Sequence, residues 1–456
     1  MDVAARLGYG QGVKTATMTS EPEALARAIS KAAWRLIPFL LLLYVLAFLD
    51  RANVGFAKQA LQRDTGLSEG AYAFGAGLFF VGYAVLEVPS NLLLFRFGAR
   101  VWMSRIMVTW GVTSAAMMFA WNETVFCVLR FLLGVAEAGF FPGVIFYFTY
   151  WFPSATRGKM MGLFYFGAPL ALIFGCPLSG LLLELNGLGD LKGWQWMFMV
   201  EGLLAAGVGL WAYWYLDSRP AEAAWLSREE KAALHKALEA EARRAPGPSH
   251  FGVLRALVNH RVLYFGLIYC LIQMSVYGVT FYLPAQVAML LRRETGLTVG
   301  LVTAVPWLCA LVAAYAVPRL ASRTGRRRWV GSVALAAAGC GIAVSAAGKP
   351  GLALAALCVA AAGFISVQPV FWTFPTDELR GAAAAAGIAL INSCGAIGGF
   401  FAPNVKTLAE RTTAYAAAGY LVLALITVLG AILIFLLPER GRVKPEGSTI
   451  NVKTPP

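Results

Sequence analysis

Twelve stretches of about 20 residues, each nearly free of charge, recur along this chain, and each is long enough for a helix to cross a hydrocarbon core of roughly 30 Å. They lie near residues 36–60, 72–95, 102–121, 125–150, 159–184, 195–216, 262–290, 299–318, 328–347, 351–374, 382–404 and 414–437. The expectation is an all-α integral membrane protein with twelve transmembrane helices. Composition agrees: 59% of the 456 residues are hydrophobic and 14% charged, where soluble domains carry about 25% charge.

Charge distribution sets the orientation. The net charge is +14, but Lys and Arg occur in short clusters between apolar runs, with no basic domain that would bind nucleic acid. Placing both termini in the cytoplasm puts about 27 of the 38 basic residues on that side and about eight on the other. The expected location is therefore a bacterial-type inner membrane, N-in and C-in. The first 33 residues have no compact apolar core followed by a small-residue cleavage site, so no cleaved signal peptide is expected.

Five regions follow: a cytoplasmic tail at 1–33, a six-helix bundle at 34–216, a cytoplasmic linker at 217–261, a second six-helix bundle at 262–437, and a tail at 438–456. Within the linker, Ser227-Arg228-Glu229-Glu230 reads as a capping box opening an amphipathic helix to about Arg244, stopped by Ala245-Pro246-Gly247-Pro248. The two bundles echo each other. Arg96-Phe97-Gly98-Ala99-Arg100 follows the second run, and Arg323-Thr324-Gly325-Arg326-Arg327 follows the eighth. Phe152-Pro153 with Arg157-Gly158 follows the fourth, and Phe374-Pro375 with Arg380-Gly381 follows the tenth. Two halves of parallel origin, with a site between them at mid-membrane, is a known transporter plan.

The chemistry lies in the exceptions to apolarity. Asp50 and Arg51 fall within the first run, and Arg130 and Glu137 within the fourth. At about 2.5–3.5 kcal/mol each on insertion scales, such charges must face protein or a watery cavity. Asp50 and Arg51 project about 100° apart, whereas Arg130 and Glu137 share a face about 10 Å apart. The simplest arrangement pairs Asp50 with Arg130 and turns Arg51 to the cavity. Arginine offers a planar fork to a carboxylate, and Asp50 or Glu137 would carry the coupled proton.

Glu87, one turn beyond Tyr83, is expected to gate through the loop bearing Arg96 and Arg100, with Arg323 and Arg327 as counterparts in the second half. Glu201 reads as structural. The second half contributes neutral polar groups: Gln273 and Tyr277; Ser366, Gln368, Trp372 and Thr373; Asn392 and Ser393. As a set they read as substrate contacts, so the first half would set coupling and the second selectivity. The seven cysteines form no CxxC pair, and His235, His250 and His260 all lie in the central polar stretch. No metal site is expected.

The runs LDRANVGFA, GAGLFFVGYAVLEVPSNLLLFRFGARVWMSRIMVTWG, RFLLGVAEAGFFPGVIFYFTYWFP and GWQWMFMVEG resemble the anion:cation symporter branch of the major facilitator superfamily, from about residue 44 to 226. The resemblance implies proton-coupled uptake of an organic anion, with a proton gradient in place of any cofactor and a monomer as the working unit. It assigns coupling and anion binding to Asp50, Arg51, Arg130 and Glu137, matches Tyr83 to the second-helix tyrosine, and implies substrate contacts at Gln273, Trp372 and Asn392. With Tyr277 and Ser393 from the polar set above, proton coupling is expected at Asp50 and Glu137 and anion binding at the rest. Two departures from the family pattern stand out. Asn91 and Phe95 replace the usual Gly and Asp of the loop after the second helix, leaving Glu87 to stand in for that charge interaction. Phe48, Gly167, Ala168 and Pro169 replace hydrogen-bonding groups of sugar-acid members. The substrate implied is a smaller or more apolar carboxylate such as tartrate, phthalate or an aromatic acid, with a hexonate or hexarate as the alternative. An anion exchanger of the same family is a second reading. No Ser/His/Asp, HExxH or phosphate-loop pattern supports an enzyme, and no signalling domain supports a sensor.

Overall fold

A computed structural model describes residues 21–244, 259–346, 349–378, 382–415 and 417–437. In the first half the helices are α1 (Glu21–Thr65), α2 (Glu69–Phe97), α3 (Ala99–Ala116), α4 (Glu123–Glu137), α5 (Phe140–Trp151), α6 (Ser154–Tyr165), α7 (Gly167–Leu183) and α8 (Gly193–Tyr215), followed by α9 (Arg228–Arg244). The second half holds α10 (His260–Thr280), α11 (Leu283–Leu291), α12 (Leu297–Thr324), α13 (Arg327–Ser345), α14 (Pro350–Glu378), α15 (Ala382–Thr413) and α16 (Ala418–Phe435). Among the described residues, eleven spans are long and apolar enough to cross a membrane. The remaining expected span is α3, an 18-residue helix whose Arg100 and Arg105 dilute its hydropathy.

Three spans that read as continuous in the sequence are each built from two helices. α4 stops at Glu137; Ala138 is extended (φ −53°, ψ 133°) and Gly139 takes the left-handed region at φ 86°, after which α5 begins. A Cβ on Gly139 would also lie 2.4 Å from the Ser90 hydroxyl, so glycine is required twice over. Proline then sits in the first turn of each restarted helix, at Pro142, Pro169 and Pro284, where its missing N–H costs nothing. Similar breaks in membrane transporters lie where a binding site needs exposed backbone or a redirected side chain.

Helices of each half pack mainly among themselves, and the halves meet along two seams, α2 against α15 and α7 against α12. Glycine lets α7 and α12 approach closely. A Cβ on Gly180 would fall 2.4 Å from the Gly296 carbonyl oxygen, and one on Gly300 would fall 2.3 Å from that of Cys176. These contacts sit at the end of the bundle away from α9. There Tyr72 also donates to the Phe281 carbonyl at 3.2 Å, and Glu184 accepts from the Leu297 N–H at 2.8 Å. The repeat seen in the sequence recurs in the backbone: Gly98 and Gly325, at matching turns after α2 and α12, both have positive φ (84° and 70°). The Phe-Pro echo does not recur. Phe152-Pro153 separates α5 from α6, whereas Phe374-Pro375 lies inside α14. Arg380 and Gly381 are outside the described residues, as are His250, Ala245 to Pro248 and both chain-terminal segments.

α9 is docked on the part of α1 that projects beyond the bilayer-length run. Ser227 and Glu230 cap it reciprocally, at 3.2 and 2.9 Å. Glu230 also pairs with Lys31 at 2.8 Å, and Glu241 receives Arg157 at 2.9 Å. Burial pushes the Glu230 carboxyl up, but Lys31 and the Ser227 N–H outweigh that and hold it below its ordinary 4.5. Its stabilisation is therefore complete above pH 4.5 and is lost as pH falls through the lowered value. Lys31 is half exposed, so the pair contributes only about 1 kcal/mol. Hydrogen exchange in residues 228–244 is expected to accelerate on acidification, and Glu230→Gln, which keeps the capping box, should exchange faster already at neutral pH.

The α7–α12 seam yields a second prediction. Gly300→Val should force the seam apart at a cost of about 1–3 kcal/mol. Alkylation of buried Cys176, followed by mass spectrometry of its peptide, should rise about tenfold, the equivalent of ~1.4 kcal/mol. Unchanged alkylation would show that the strain is absorbed elsewhere.

Candidate functional site

The four charges within the first and fourth spans are all drawn into the protein interior, but not in the expected pairs, and Arg130 Nε and Nη1 and Glu137 Oε2 have no hydrogen-bond partner among the described residues. Asp50 and Arg51 do diverge around α1, as adjacent helical residues must. Arg51 points to the break after α4. It donates from Nε (2.9 Å) and Nη2 (2.5 Å) to one oxygen of Glu137, and from Nη1 to the Tyr277 hydroxyl at 3.2 Å. Asp50 points the other way, towards α3, where Trp110 Nε1 and Ser114 Oγ donate to it and Asn53 Nδ2 donates at 3.0 Å. The expected Asp50–Arg130 pair is thus replaced by an Arg51–Glu137 pair. Arg130 turns instead onto α2, reaching the Ala76 carbonyl at 3.4 Å and lying 5.1 Å from the Phe79 ring centroid. The cause is α2–α4 packing: a Cβ on Gly134 would lie 1.9 Å from the Phe79 carbonyl oxygen, so the two backbones touch and Arg130 is sealed between them at 0% exposure.

A cavity of about 360 Å³ lies between the halves. Its floor holds Arg51, Tyr83, Tyr277, Gln273 and Asn392, and exposed Lys159, Gly162, Leu163 and Tyr315 form a mouth at the α9 end. The walls are aromatic and apolar, with Tyr44, Phe48, Phe80, Phe141 and Tyr269 among them. The described lining includes two cations, Arg51 and Lys159, and no carboxylate. Arg51 is further flanked by the rings of Tyr83 (5.2 Å) and Phe79 (5.4 Å), which suits a partly desolvated guanidinium. Phe48, Ala168 and Pro169 do line this space.

Other expected site residues fall elsewhere. Glu87 does not bridge to the Arg96–Arg100 loop. It crosses between the halves, accepting from Asn392 at 2.6 Å and Ser393 at 3.4 Å. Arg100 instead donates to the Tyr213 carbonyl at 2.5 Å, Arg96 lies 5.6 Å from the Phe97 ring, Arg327 pairs with Asp377 at 2.6 Å, and Arg323 is exposed at the end of α12. Trp372 packs edge-on against Tyr269, with centroids 5.0 Å apart, behind the cavity wall. Ser393 contributes through Glu87 and is not part of the wall. Sequence reasoning missed Asn53, Trp110, Ser114, Ser179 and Lys159. Asn53 was legible, one turn from Asp50 in LDRAN, and Trp110 and Ser114 share an i, i+4 face of α3. Lys159 carried no signal, lying at the edge of a span among ordinary loop charges. Lys58 and Lys406 were also overlooked. Both are buried, and they flank Tyr282 with Nζ 4.8 and 3.9 Å from its centroid.

The Arg51–Glu137 pair is buried enough that removing one partner strands the other charge. Arg51→Ala should cost about 3–5 kcal/mol and lower the unfolding temperature. Adding Glu137→Gln should recover most of that loss, a non-additivity that scanning fluorimetry in detergent would record. Arg51→Lys keeps the charge without the planar fork. It should remain folded while substrate binding weakens about tenfold or more, measured as a lost ligand-induced thermal shift.

Residues 40–403 match the family model described as Major Facilitator Superfamily. The chain is 51% identical to the inner membrane transport protein RhmT of Escherichia coli K12, over 91% of this chain and 96% of that one. It is 41% identical to a putative tartrate transporter of Agrobacterium vitis, over 93% and 94%, and 38% identical to the putative metabolite transport protein NicT of Pseudomonas putida, over 90% and 94%. Among solved structures, the xylose transporter XylE of E. coli in a partially occluded inward-open conformation superposes with a TM-score of 0.67 at 13% identity, over 90% of this chain and 98% of that one. A bacterial homologue of the human lysosomal transporter Spinster gives 0.67 at 15% identity, over 90% and 96%.

Proposed function

The chain belongs to the Major Facilitator Superfamily and is a multi-pass membrane transporter of a small molecule, and from that premise we propose that it takes up an organic anion together with a proton by alternating access. The observation that carries this reading is the ion pair between Arg51, on the cavity floor, and Glu137, buried behind it. While Glu137 is ionised, its carboxylate occupies the guanidinium fork that a substrate carboxylate would need. A proton on Glu137 frees the fork, and the substrate takes the place of Glu137. Proton and anion then bind as one event, which is what symport requires.

The remaining geometry supports the same reading. Arg51 also holds Tyr277 of the other half, so a substrate at Arg51 touches the contact between halves. Apolar walls around two cations favour a small or aromatic carboxylate, and a relative named for tartrate is consistent with that class. The excess of Lys and Arg in the loops at the α9 end makes that end cytoplasmic, in a bacterial inner membrane. The cavity mouth would then face the cytoplasm and the glycine seam would close the outer side. Asp50, held by three neutral donors away from the cavity, would be a second carrier of the coupled proton.

Glu137→Gln fixes the neutral form. In proteoliposomes, this variant should exchange labelled tartrate or phthalate by counterflow at rates within about threefold of wild type. It should lose proton-driven accumulation by about tenfold or more. Wild-type-like accumulation would remove Glu137 from the coupling step.

A further inference from the structure

On the face of α1 turned away from the cavity, a second polar cluster is sealed between α1, α3, α7 and α8. Asp50, Asn53 and Glu201 are 2%, 1% and 2% exposed, and Ser114, Trp110 and Ser179 are 0% exposed. Asn53 Nδ2 donates at 3.0 Å both to Asp50 Oδ1 and to Glu201 Oε2, so one amide joins two carboxyl groups. Ser179 donates to the other oxygen of Glu201 at 2.7 Å. No cation is bonded directly to either carboxyl among the described residues. The groups facing Asp50 are Arg130 and Glu137 of α4 and Glu201 of α8; the titratable groups facing Glu201 are Asp50 of α1 and Cys176 of α7.

Two further observations point to a proton held by this pair. The carbonyl oxygen of Asn53, on the same amide that joins the two carboxyl groups, is buried and has no hydrogen-bond partner among the described residues. A buried acceptor left alone costs about 1–3 kcal/mol. In addition, two ionised carboxylates bridged by one neutral amide would repel each other, with no cation bonded to either among the described residues. A single proton answers both problems. With it, one carboxyl becomes an O–H donor to Asn53 Oδ1 after a small turn of the amide, and Nδ2 keeps the ionised partner. Asp50 has the better claim to the charge, with three donors and Arg130 facing it, while Glu201 has two donors and a neutral thiol.

We propose that Glu201 is a proton-holding residue of the transport cycle, joined to Asp50 by Asn53 so that the pair carries one proton and one negative charge. In this role it is a positioning residue, because it acts on Asp50 and touches no substrate. The inference rests on the proton-coupled reading above for its place in the cycle, while the protonation itself stands on the cluster alone.

The test uses the full-length protein in lipid nanodiscs and in proteoliposomes. Infrared difference spectra at neutral pH, wild type minus Glu201→Gln, should show the carbonyl-stretch band of a protonated carboxylic acid. Asn53→Ala should shift that band, and Glu137→Gln should leave it in place. Glutamine can accept from Ser179 through its carbonyl oxygen and donate to Asn53 Oδ1 through its amide, as the protonated acid would, so this variant should fold, which its unfolding temperature in detergent checks. In transport, removing the second acid should move the pH of half-maximal uptake downward by about one unit, with Glu201→Asp returning it towards wild type. A purely structural role would leave the pH profile in place. No band difference, or an unmoved profile in a variant that still accumulates substrate, overturns the proposal. If wild type itself shows no proton-driven uptake, the symport reading fails. The infrared band would then decide separately whether Glu201 holds a proton.

Discussion

Ionisable side chains that cannot reach water are the constraint around which this transporter is arranged. Asp50, Arg130, Glu137 and Glu201 are each no more than 2% exposed, in spans where lipid offers nothing to solvate them. Adjacent positions on α1 send Asp50 and Arg51 in different directions, so α1 must lie between α3, which supplies neutral donors, and the break after α4, which supplies a carboxylate. Once those neighbours are set, Tyr277 of the second half is drawn to the same guanidinium. The ion pair thereby becomes part of the contact between halves.

Backbone breaks and glycine crossings make this placement possible. The turn at Ala138 and Gly139 ends α4 at Glu137 itself, so that carboxyl sits at a helix terminus instead of in a packed helix wall. Pro142, Pro169 and Pro284 restart the helices without stranding an N–H. Elsewhere Gly134 brings α2 and α4 into backbone contact, and Gly180 and Gly300 do the same for α7 and α12. The first crossing holds one half rigid. The second lies between halves and closes the end opposite the cavity mouth.

Polar groups therefore divide into two sets on opposite faces of α1. One set is Arg51 and Tyr277, which meet the cavity, with Glu137 buried behind Arg51. The other, Asp50, Asn53 and Glu201, is sealed behind it and suits storage of charge. Glu87, tied to Asn392 and Ser393, forms a second crossing between halves beside the cavity. Both crossings run through ionisable groups, Arg51 to Tyr277 and Glu87 to Asn392 and Ser393, so the contact between halves depends on charge.

The sequence by itself determined the all-helical membrane class, because burying a backbone in lipid demands runs of about 20 apolar residues whatever surrounds them. It also singled out Asp50, Arg51, Arg130 and Glu137, since a charge within such a run is conspicuous at any position. The divergence of Asp50 from Arg51 followed from helix geometry alone. The partners were decided only by the tertiary structure. Whether Asp50 meets Arg130 or Trp110 depends on which helix lies beside α1 and how it is rotated, and glycine contacts set that between residues far apart in the chain. The break after Glu137 was equally hidden, because Gly139 and Pro142 occur in continuous membrane helices too, and neighbours decide whether they bend or break one. Glu87 shows the same limit. Its nearby arginines suggested a loop partner, yet folding brought Asn392 and Ser393, some 300 residues away, within hydrogen-bonding reach instead.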